Sequence, residues 1–130
     1  MSKRVLLIED EPQLAATTSA FIQTVFPLVT VDIATNGAHA WWLLTAPNAP
    51  TYSLCLCDVE MPLVSGLELL ARMRTQPRFA HIPFYFCTAC NRLHTLVEAR
   101  ALRATGYLLK PFDFPDLITR LEPYLGIPDT

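Results

Sequence analysis

The sequence has no long apolar run. Met1-Ser2-Lys3-Arg4 leads into only four apolar residues, Val5 to Ile8, before Glu9, far short of a secretory h-region or a membrane span. Nothing in that stretch directs export or insertion, and a cytoplasmic location is expected. Clustered basic residues are also missing. Ten Lys and Arg stand against 12 Asp and Glu, for a net charge of −2, so the footprint of a nucleic-acid binder is absent and direct DNA contact is not expected. There is no repeat, low-complexity tract or interdomain linker. Residues 1–130 are therefore read as a single domain, with the tail from about residue 126 a frayed end or the start of a linker. Charged residues make up 17% against 52% apolar, the balance of a globular chain and not a disordered one. Four cysteines, Cys55, Cys57, Cys87 and Cys90, would form disulfides only in an oxidising compartment, so reduced thiols are expected.

What is present is alternation. Short apolar runs at Val5–Ile8, Val29–Ala34, Leu54–Cys57, Phe84–Cys87 and Tyr107–Leu109 read as five buried strands. Between them, Pro12–Phe26, Gly37–Leu44, Gly66–Arg74, Leu93–Leu102 and Phe114–Leu125 have helical periodicity. Regular β/α alternation predicts a parallel sheet with helices on both faces. Pro12 suits a first helical turn, Asn36, Ser65 and Asp113 suit N-caps, and Gly106 is expected to end the fourth helix. Pro47 and Pro50 mark a loop.

In such a sheet the ligand crevice lies at the carboxyl ends of the strands. Those ends here carry Glu9-Asp10-Glu11, Asp58, Thr88 and Lys110-Pro111. Crowded carboxylates repel one another unless a cation joins them, and a hard oxygen-ligated ion such as Mg²⁺ suits them. A metal beside an Asp and a Lys describes a phosphoryl-transfer centre, with the Asp able to act as nucleophile. Lys110 would pair with the phosphoryl group and Thr88 would donate a hydrogen bond to it.

The segments Glu9-Asp10-Glu11-Pro12, Asp58-Val59-Glu60-Met61-Pro62, Ser65-Gly66-Leu67-Glu68, Thr88-Ala89 and Gly106-Tyr107-Leu108-Leu109-Lys110-Pro111 together resemble the receiver domains of two-component response regulators over nearly the whole chain. The intervals from Asp58 to Thr88 and from Thr88 to Lys110 agree with that family. The interval from Asp10 to Asp58 exceeds that family's by a few residues, an excess the Pro47/Pro50 loop would absorb. The resemblance implies an α/β fold, a flavodoxin-like, doubly wound (βα)5 receiver with a five-stranded parallel sheet in the order 2-1-3-4-5. It implies that Asp58 is the phospho-acceptor, with Thr88 and Lys110 as its catalytic companions. Glu9, Asp10, Asp58 and the backbone carbonyl of Glu60 would hold Mg²⁺. Thr88 and Tyr107 would form a switch pair, and Lys110–Pro111 a cis peptide. The partners implied are a histidine kinase or phosphotransfer protein, and a second copy docking through the fourth helix, fifth strand and fifth helix. A non-phosphorylated pseudo-receiver acting as an interaction module is the alternative, and retention of Asp10, Asp58, Thr88 and Lys110 speaks against it. A phosphatase with an Asp nucleophile would need a second acid two residues on, a spacing Glu60 meets, and usually a cap domain, for which 130 residues leave no room.

Other residues have plainer readings. Glu60 either steers water or faces solvent. Cys57 and Cys87 lie on neighbouring strands and could approach each other, but small buried hydrophobes are the expected role of the cysteines. Glu11 suits helix capping and the macrodipole. His39, His81 and His94 share no ligand spacing, and one of Trp41 and Trp42 is expected to face the sheet while the other faces solvent.

Overall fold

Strands rich in apolar residues at every position need cover on both faces, and the chain supplies it with five helices. The structure is a computed structural model describing residues 3–126; the expectation for residues 127–130 lies outside them. In chain order the elements are β1 (Arg4–Ile8), α1 (Pro12–Val25), β2 (Thr30–Ala34), α2 (Gly37–Thr45), β3 (Leu54–Cys57), α3 (Gly66–Arg74), β4 (Phe84–Thr88), α4 (Leu93–Ala101), β5 (Gly106–Leu109) and α5 (Phe114–Leu125). The five strands are parallel, in the order β2-β1-β3-β4-β5. Among the described residues no helix is long and apolar enough to cross a membrane.

Alternation along each strand divides the core in two. Leu6, Ile8, Cys55, Cys57, Phe84 and Phe86 pack under α2, α3 and α4. Val5, Leu7, Leu54, Leu56, Tyr85 and Cys87 pack under α1 and α5 through Ile22, Phe26, Leu117 and Leu121. Cys57 and Cys87 therefore belong to opposite faces of the sheet, which corrects the expectation that they could approach. Cys55, Cys57 and Cys90 are buried, and burial pushes the Cys55 thiol up to about 12. These side chains pack as small hydrophobes.

Local chemistry sets most helix starts. Asn36 Oδ1 accepts from His39 N at 2.8 Å, Asp113 Oδ1 accepts from Asp116 N at 2.9 Å, and Ser65 forms a reciprocal capping box with Glu68. Glu11 occupies the N-cap position of α1 but makes no side-chain capping bond, so the capping role expected of it is not seen; Pro12 leaves one orphan N–H fewer to satisfy. Gly106 does not end α4. That helix closes at Leu102 and Arg103, the latter at φ 64, with Ala104 N bonded to Ala99 O at 3.0 Å. Gly106 instead opens β5, where the Tyr85 ring lies so close that a Cβ would collide with it. Trp41 packs edge-on to Phe79 with ring centroids 5.6 Å apart, while Trp42 is exposed.

Phe86 has no exposed surface and meets Phe84 and Tyr107 at centroid distances of 5.0 and 5.6 Å. Its replacement in Phe86→Ala is expected to lower unfolding free energy by about 3–5 kcal/mol, read by urea denaturation.

Candidate functional site

Four strand ends meet at one edge of the sheet. Asp58 N donates to Ile8 O at 3.1 Å and Lys110 N to Thr88 O at 2.8 Å, so main-chain bonds that extend the sheet place both side chains. Gly66, at the start of α3, sits beneath the Asp58 carbonyl with no room for a Cβ, which fixes the loop that follows the acid.

The Asp58 carboxylate is shared out between its two oxygens. Oδ1 accepts from Thr88 Oγ1 at 2.7 Å and from Glu60 N at 3.3 Å. Oδ2 faces Lys110 Nζ at 3.4 Å. The closer partner of Lys110 is Glu9, whose Oε1 accepts from Nζ at 2.8 Å, while Glu9 Oε2 accepts from Glu11 N at 3.2 Å. Burial raises the Glu9 carboxyl above its ordinary pKa even against the pull of Lys110. For Lys110 burial works against the charge, but the hydrogen bond to Glu9 and the charges of Asp58 and Glu9 outweigh it and hold the ammonium above its usual pKa.

Carboxylate oxygens of Glu9, Asp10 and Asp58 lie within 4.8 Å of one another. This all-oxygen set is of the kind a hard divalent cation takes. The Glu60 carboxylate stands outside it, 3.5 Å from Arg92 Nη2.

A second chain of bonds leads away from Asp58. Thr88 is almost wholly buried; its hydroxyl oxygen accepts from Cys90 N at 3.2 Å, and the Cys90 carbonyl accepts from Tyr107 Oη at 2.7 Å. Burial and that bond push the Tyr107 phenol well up. The structure therefore brings together Glu9, Asp10, Asp58, Thr88, Lys110 and, through Cys90, Tyr107. Lys110–Pro111 is cis. The histidines stand apart: His39 accepts from Thr35 N at 3.1 Å, while His81 and His94 are exposed.

The sequence profile of the response regulator receiver domain matches residues 5–122. The chain belongs to that family. Response regulator RppA of Synechocystis is 36% identical to this receiver over 120 residues, covering 92% of the chain and 49% of RppA. The transcriptional regulatory protein CrdR of Helicobacter pylori is 32% identical over 126 residues, covering 97% of the chain and 56% of CrdR. The receiver thus spans about half the length of these curated relatives. Among solved structures, the Vibrio cholerae chemotaxis protein CheY4 superposes with a TM-score of 0.82 at 26% identity, over 96% of this chain and all of that one. The phosphorylated cyanobacterial phytochrome response regulator RcpA has a TM-score of 0.87 at 20% identity, over 97% and 96%, a likeness of fold alone.

Two features of the receiver's site carry no sequence signal. Lys110 chooses Glu9 as its nearer partner, and Arg92 reaches Glu60; both depend on distances between strands and loops remote in sequence. Removing the cation in Lys110→Met would leave Glu9 and Asp58 uncompensated. In metal-free protein it is expected to cost roughly 1–3 kcal/mol, less than for a fully buried pair because Lys110 keeps some exposure. Lys110→Met/Glu9→Gln should recover most of that loss, read by denaturant unfolding.

Proposed function

We propose that Asp58 accepts a phosphoryl group from a phosphorylated histidine of a kinase or phosphotransfer protein, with Mg²⁺, and that the new charge biases the surface formed by α4, β5 and α5. The observation carrying this reading is the convergence of the Thr88 hydroxyl and the Lys110 ammonium on different oxygens of the one Asp58 carboxylate, at 2.7 and 3.4 Å. In the transfer an Asp58 oxygen forms a bond to phosphorus as the bond from phosphorus to the donor nitrogen breaks. Lys110 is placed to take up the charge of the arriving group, and the Thr88 hydroxyl can turn from the carboxylate to a phosphoryl oxygen and donate to it. We assign Glu9, Asp10, Asp58 and the Glu60 backbone carbonyl to hold the metal. When bound, Mg²⁺ supplies positive charge against the acids and the phosphoryl oxygens.

The route outward follows from the same bonds. Any movement of the Thr88 hydroxyl disturbs Cys90 N, and through the Cys90 carbonyl the Tyr107 hydroxyl. Leu93 and Val97 on α4 and Leu109 on β5 are exposed. They are the apolar surface we assign to a second copy or an output partner.

Acetyl phosphate with Mg²⁺ is expected to add one phosphoryl group, about 80 Da, to wild type and none to Asp58→Asn, read by intact mass. No gain in either protein would overturn the reading. Mg²⁺ alone is expected to raise the Tm of wild type by stabilising the folded state, and to do so far less in Asp10→Asn.

A further inference from the structure

The Glu60–Arg92 pair is not explained by the fold. Glu60 is tethered to the acceptor by its own N–H, which donates to Asp58 Oδ1 at 3.3 Å. Its carboxylate is not one of the clustered acids and lies 3.5 Å from Arg92 Nη2, with both side chains more than half exposed. Arg92 occupies the N-cap position of α4 and provides no capping bond. A cation there runs against the helix dipole, so helix stability is no reason for it. The two residues come from the two loops that flank the acceptor, after β3 and after β4, and with Met61 and His94 they line an open groove of about 490 Å³.

A phosphoryl donor reaches Asp58 as an anion and must approach past these loops. A carboxylate two residues from the acceptor and free to rotate would place negative charge on that path; one held by a guanidinium does not. We propose that Arg92 is a positioning residue for phosphoryl transfer: it draws the Glu60 carboxylate across to α4 and keeps its charge off the donor's approach to Asp58. The inference rests on the phospho-acceptor reading and adds to it a residue that the motif of strand ends does not contain.

The test follows phosphorylation by acetyl phosphate against donor concentration, at low and high salt, in wild type, Arg92→Ala, Arg92→Lys, Glu60→Gln and Arg92→Ala/Glu60→Gln. Arg92→Ala is expected to be slower by about two- to fivefold at low salt, the scale of one exposed charge. The loss should fall on the donor concentration needed and not on the limiting rate, and should shrink at high salt. Arg92→Lys should retain most of the wild-type rate. Glu60→Gln, which removes the side-chain charge and keeps the backbone carbonyl assigned to the metal, should be at least as fast as wild type, and the double variant should match Glu60→Gln. Arg92→Ala as fast as wild type would overturn the proposal. So would a double variant as slow as Arg92→Ala, since that would put Arg92 itself on the donor. If wild type takes up no phosphoryl group, the phospho-acceptor reading falls and this proposal with it; a phosphorylated wild type indifferent to Arg92 removes the proposal alone.

Discussion

Carboxylates gathered at the edge of an apolar sheet need a cation, and Lys110 meets that need. Its ammonium sits 2.8 Å from Glu9 and 3.4 Å from Asp58. In the strand order β2-β1-β3-β4-β5, Lys110 follows the outermost strand, and Glu9 follows a strand three places away. One side chain thereby spans the crevice from β5 to β1 and holds the acids at a separation their charges would otherwise oppose. In the proposed function the same ammonium receives the phosphoryl group, so the group that stabilises the resting site also reads the modified one.

The sheet explains why the polar side chains gather at its carboxyl edge. Both faces are sealed, by α2, α3 and α4 on one side and by α1 and α5 on the other. At the opposite edge, the Arg74 guanidinium donates to the carbonyls of Ala80, Ile82 and Arg103 at 3.1, 2.8 and 3.0 Å and ties the loops together. The carboxyl ends of the strands keep polar side chains partly accessible. Asp58 and Lys110 side chains retain 15% and 20% exposure, so their interaction is only partly screened. Thr88 lies deeper, and through Cys90 it is bonded to Tyr107, so the site and the α4–β5 surface share a continuous set of hydrogen bonds.

Much of this was readable from the chain because the relevant rules are local or topological. Apolar runs at every position mark strands buried on both faces, and their alternation with helices dictates a parallel sheet. Asn36, Ser65 and Asp113 announce helix starts because the capping bond is made within three residues. Gly106 misled for the opposite reason. A glycine after a helix reads as a terminator, but its use here is to let the Tyr85 ring of the neighbouring strand lie against the backbone.

The sequence by itself determined which residues stand at the strand ends, because a parallel sheet puts the residue after each apolar run at the same edge: Glu9 and Asp10, Asp58, Thr88 and Lys110. The tertiary structure alone decided how they pair. Which Asp58 oxygen faces Thr88 and which faces Lys110, the nearer contact of Lys110 with Glu9, the separation of Cys57 from Cys87 onto opposite faces, and the reach of Arg92 to Glu60 are set by strand register and by the path of loops distant in sequence. Charge interactions and hydrogen bonds change steeply over a few ångströms, and distances on that scale are fixed only when the sheet has formed and its helices have packed.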